Sequence, residues 1–107
     1  MKADARNAPM LFIIAGRDHP NGIDKRLEFR PQHRAHYEAL GDDLILSGPF
    51  LDADGEPIGS MIIMRRDSQA AADAHVAVDP YVTENVFKTV RVDRWEWFMN
   101  RPDGLQD

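Results

Sequence analysis

Met10-Leu11-Phe12-Ile13-Ile14-Ala15 is the longest apolar run in the chain, and it limits the possible folds more than any other feature. A membrane-spanning helix needs about 20 predominantly apolar residues, so this run crosses no bilayer. Its β-branched and aromatic content, closed by Gly16-Arg17-Asp18, predicts a strand from Met10 to Gly16 covered on both faces. Lys2 and Arg6 precede it much as a charged region precedes the apolar part of a signal peptide. The run is too short for that role and no Ala-x-Ala site follows, so the expectation is a cytoplasmic protein.

The remaining segments follow from turn and cap chemistry. Residues Met1 to Pro9 are small and polar and predict a loose extension, leaving one domain over residues 10–99 and a tail over 100–107. A domain of this size buries roughly 65% of its unfolded surface. That is short of a deep private cavity, so an enclosed pocket is expected to borrow walls from a partner subunit. Asp18-His19-Pro20-Asn21-Gly22 predicts a loop. Proline costs nothing at a first helical position, which places a helix from Pro31 to about Leu40, with Gly41 left-handed beyond it. His33, His36, Tyr37 and Leu40 then share one face, turned to the core, while His19 and His75 are expected on the solvent side. Leu44 to Leu51 and Ile58 to Met64 form a hairpin around Asp52-Ala53-Asp54-Gly55-Glu56-Pro57. Asp67 or Ser68 caps a helix reaching about Val78, Asp79-Pro80 opens a short turn, and a last strand spans Val86 to Phe98.

The order is β-α-β-β-α-β, an α+β, ferredoxin-like arrangement in which two helices cover one face of a four-stranded antiparallel sheet. The uncovered face predicts a homodimer closed sheet against sheet, a dimeric α+β barrel. Several function classes drop out. The chain has no cysteine, which removes disulfides and thiolate chemistry, and a net charge of -5 disfavours nucleic acid. No Gly-x-Gly-x-x-Gly, P-loop, Gly-x-Ser-x-Gly or His-Glu-x-x-His is present, so no cofactor is expected. His33 and His36 stand three apart without further ligands, a poor zinc site, and no metal is expected either.

Met10-Leu11-Phe12, Lys25-Arg26-Leu27 leading into Arg30-Pro31-Gln32-His33, Ser47-Gly48-Pro49 closing the second strand, and Asp79-Pro80-Tyr81-Val82 occur in that order over most of the chain. In this pattern the chain resembles the YciI-like (YCII-related) family. The resemblance implies a ferredoxin-like dimer with an active site centred on a His/Asp pair, here His33 and Asp79. One branch of that family resembles dehydrochlorinases acting on a chlorinated hydroxyhydroquinone. The acidic connection Asp52 to Pro57, the extension before Met10 and Trp95-Glu96-Trp97 depart from the pattern, so no substrate carries over.

Near neutral pH a histidine can take and return a proton, and an aspartate on its other nitrogen would fix the tautomer. Arg30, or backbone N–H groups near Gly48, could receive developing negative charge. Ser47 and Ser60 read as hydrogen-bonding pocket residues, and Pro49 and Tyr81 complete the substrate-binding set. The plainer readings stand beside these: Asp79 before Pro80 looks like a helix cap, His33 like a hydrogen-bonded core histidine, and Trp95, Trp97 and Phe98 like core or interface. Three functions follow. They are a lyase or isomerase using His33 and Asp79 on a small phenolic or anionic substrate, a non-catalytic ligand-binding or accessory protein, and a cofactor-free oxygenase resting on fold analogy alone.

Overall fold

A computed structural model of the chain describes residues 10–103. The extension and the end of the tail expected from the sequence lie outside them. The elements are β1 (Met10–Asp18), α1 (Ile23–Glu38), a 3₁₀ turn (Gly41–Asp43), β2 (Leu44–Leu51), β3 (Pro57–Arg66), α2 (Gln69–Ala77), the short α3 (Pro80–Thr83) and β4 (Phe87–Trp95). The sheet is antiparallel in the order β2-β3-β1-β4, so the two strands at its centre come from opposite halves of the chain.

Pairing puts Phe12 opposite Met64 and Ile14 opposite Ile62, all four buried under Tyr37 of α1 and Ala72 and Val76 of α2. Each such side chain contributes about 1.5–3 kcal/mol on burial. A second cluster of Tyr81, Val86 and Phe87 closes the end next to α3. Phe87 lies flat enough on the sheet that a Cβ at Gly16 would come within 2.5 Å of its ring, which is why β1 carries a glycine there. The opposite face of the sheet presents Ile13, Ala15 and Met61, half-buried, and a cation–π contact of Arg17 on Phe50 at 4.0 Å.

Several boundaries differ from the sequence reading. α1 begins at Ile23, eight residues before Pro31, and the proline lies inside it. An interior proline costs about 3 kcal/mol. What offsets that here is the first half of the helix, where Arg26 is buried in a two-pronged ion pair with Asp18 and also bonds the Gly59 carbonyl. Charge-assisted hydrogen bonds contribute about 1.5–3 kcal/mol each, so the helix survives its missing N–H. Arg30 consequently sits mid-helix and not ahead of it. Ser47-Gly48-Pro49 lies within β2, not at its end, and β4 stops at Trp95, leaving Phe98 81% exposed and neither core nor, within one chain, interface. Trp95 and Trp97 pack on each other with ring centroids 5.6 Å apart. His75 is half-buried against His36, where the sequence reading had it facing solvent.

Ser68 caps α2 by accepting from the Ala71 N–H at 3.0 Å, and Gly41 takes the left-handed conformation at φ 59.

Candidate functional site

Asp79 has the φ/ψ of an N-cap, and its Oδ1 accepts the Tyr81 backbone N–H at 2.9 Å. The same oxygen takes the His33 Nδ1 at 2.8 Å. Capping and histidine pairing therefore share one oxygen. Asp79 is 0% exposed and His33 8%, so the pair is shielded from screening by solvent. An ionised Asp79 keeps the shared proton on Nδ1, which leaves the Nε2 lone pair free. Nε2 makes no hydrogen bond among the described residues, and His33 lines a pocket.

That pocket has a volume of about 330 Å³ and lies between α1 and the hairpin. Ser47, Gly48, Pro49, Ser60, Arg30 and Tyr81, all expected from the sequence, line it. Tyr81 stacks on the His33 ring with centroids 3.8 Å apart and planes 8° from parallel, and its hydroxyl donates to the Arg26 carbonyl. Burial raises the Tyr81 hydroxyl above its ordinary value, with Arg26 pulling the other way, so it stays protonated near neutral pH. Arg30 and Arg34 stand at the exposed rim. Arg34 leans on Glu38 at 3.4 Å, while Arg30 makes no ion pair among the described residues.

Sequence reasoning missed Arg26. Its guanidinium pairs with Asp18, bonds the Ser60 hydroxyl and lies 4.9 Å from the centre of the Tyr81 ring, forming the pocket floor. Burial raises the Asp18 carboxyl, and Arg26 opposes that rise. The signal was available: Arg26 stands seven residues before His33, on the same helical face, but a helix beginning at Pro31 excludes it. Ser60 is consequently engaged with Arg26 before any ligand arrives. Among the described residues no group of three or more His, Cys, Asp or Glu could hold a metal ion, and no helix is long and apolar enough to cross a membrane.

The YCII-related domain family matches residues 10–96. The chain belongs to the YCII-related family. Within it, Protein YciI of Escherichia coli O6:H1 is 34% identical over 91 residues, covering 78% of this chain and 93% of that protein. Protein YciI of Shigella flexneri matches to the same extent. Among solved structures, the 5-chloro-2-hydroxyhydroquinone dehydrochlorinase TftG of Burkholderia phenoliruptrix AC1100, in complex with 2,5-dihydroxybenzoquinone, superposes with a TM-score of 0.76. It is 30% identical, and the match covers 81% of this chain and 94% of TftG. The YCII-related chain described here thus shares its α+β fold with a structure solved in complex with a small molecule.

Proposed function

We propose that this YCII-related protein is a small-molecule enzyme of lyase or isomerase type, dehydrochlorinase-like, acting in the cytoplasm on a phenolic or otherwise anionic substrate. The observation that carries this reading is the buried 2.8 Å contact between His33 and Asp79 in the wall of a pocket. His33 Nε2 takes a proton from a substrate O–H or C–H, and Asp79 stabilises the imidazolium that forms. In an elimination the electron pair of the broken C–H or O–H bond forms the new π bond, the pair of the breaking carbon–halogen bond leaves with the halide, and the proton on Nε2 is released to solvent. In an isomerisation Nε2 gives the proton back at another carbon. Arg30, with no ion pair among the described residues, faces the developing negative charge from the rim. The likeness to TftG supports the same class of chemistry. The proposed unit is a homodimer, because the sheet face bearing Ile13, Ala15 and Met61 is covered by no element among the described residues.

The test is turnover and binding measured side by side with hydroxylated, halogenated phenols and small dicarbonyls. His33→Ala is expected to lower kcat/KM by about 10²–10⁴-fold while ligand binding persists. Asp79→Asn keeps a good helix cap, so it is expected to fold and still lose most of the activity. A wild-type protein that binds such ligands without turning any over would make this a binding or accessory protein and sink the enzyme reading.

A further inference from the structure

Behind the His33–Asp79 pair lies a second set of buried polar atoms that the chemistry proposed above does not use. Asp79 Oδ2, Tyr37 Oη and His75 Nε2 are sealed from solvent, and none has a hydrogen-bond partner among the described residues. Native interiors hold few such atoms, because each carries an uncompensated desolvation cost. Their positions explain why three gather here. His33 and Tyr37 stand one turn apart on α1, and His75 and Asp79 stand four residues apart on the segment facing it. The two segments therefore touch at two levels: the hydrogen bond between His33 and Asp79, and one turn on, the edge-to-face contact of Tyr37 and His75 with ring centroids 5.0 Å apart. The groups packed around these atoms are His33, His36 and Tyr37 from α1, His75 from α2, Asp79, and Arg66 at the end of β3, whose Nε is also buried without a partner among the described residues.

We propose that Tyr37 Oη, Asp79 Oδ2 and His75 Nε2 share one buried water, and that this makes Tyr37 a positioning residue for the His33–Asp79 pair. The hydrogen-bond count closes: the water accepts from the tyrosine hydroxyl and donates one proton each to the carboxylate and to the imidazole nitrogen, the three bonds typical of an internal water. His75 must be neutral to accept, and burial together with the neighbouring His36 lowers its pKa to about 4. Burial raises the Tyr37 hydroxyl and the Asp79 charge raises it further, which fits a donor facing that carboxylate. Through this water the charge on Asp79 is partly spent on Tyr37, and its pull on the His33 imidazolium is tempered.

The inference rests on the reading of His33 and Asp79 as the reactive pair, but its test reads proton binding at His33 and needs no turnover. An absence of turnover would sink the proposed function and leave this test standing. Tyr37→Phe deletes the hydroxyl and keeps the ring. The expected result is an NMR titration midpoint for His33 raised by about half a pH unit, roughly threefold in proton affinity, with a lower melting temperature. An unchanged or lowered midpoint overturns the proposal, whatever happens to stability; if the variant is also more stable, the hydroxyl was merely unpaired. A high-resolution crystal structure of the wild-type protein is the second arm and decides the matter if the variant does not fold. Density for a water within hydrogen-bond distance of all three atoms supports the proposal, and a dry site, or a water that bridges neither Tyr37 nor Asp79, overturns it.

Discussion

One oxygen of Asp79 accepts both a backbone N–H that starts α3 and the proton of His33, so the turn that positions Tyr81 also positions the histidine it stacks on. A carboxylate used twice couples local folding to site geometry. His75 makes a different contribution at the same scale. Its pKa is lowered to about 4 from an ordinary value near 6.5. The unfolded chain therefore binds a proton at this residue that the folded chain refuses. Stability owed to neutral His75 is complete above about pH 6.5 and is lost progressively as pH falls toward 4. Denaturant midpoints measured at pH 7, 5.5 and 4.5 should fall in that order, and His75→Gln should flatten the decline. An equal decline in the variant would assign it to other groups.

At the scale of elements, α1 carries the most information. Pro31 is exposed, and its missing N–H would have served the carbonyl of Leu27, a residue that is itself exposed. Pro31→Ala restores that bond and should raise stability by about 1–2 kcal/mol, less than the full propensity difference because alanine loosens the unfolded chain. A urea titration would show it as a higher midpoint with unchanged slope. A lower midpoint would mean that the helix depends on the geometry proline imposes. The same helix marks the limit of sequence reasoning. The caps at Ser68 and Asp79, the left-handed Gly41 and the hairpin around Asp54-Gly55 were legible because each is decided within a few residues. The start of α1 was not, because a proline read locally ends a helix, and what carries this one through is an arginine whose partners lie on other elements. With the first half of α1 missing, the floor of the pocket went missing too.

For the whole molecule, the proposed homodimer pairs two sheets through the face opposite the helices. Ile13 lies in the middle of the face that would be covered, opposite Ile63 and Asp93. Light scattering after size exclusion should give twice the mass of one chain, and Ile13→Asp should give the single-chain mass by placing a charge in a dry interface. A wild-type monomer would remove the dimer from the proposal and leave the pocket, which one chain encloses well enough to measure about 330 Å³. What the sequence determined unaided was the order of the four strands and two main helices and with it the antiparallel α+β class, since apolar period and turn chemistry are properties of neighbours along the chain, while the His33 and Asp79 pairing was implied by the family resemblance. Only the tertiary structure decided how far α1 extends, that Arg26 is the pocket floor, and that Tyr81 lies parallel to His33. Those outcomes rest on contacts such as Arg26 to Gly59, 33 residues apart, and His33 to Asp79, 46 apart. Burial by a distant segment sets the energy of a charged or polar side chain, and no local pattern records which segment will arrive.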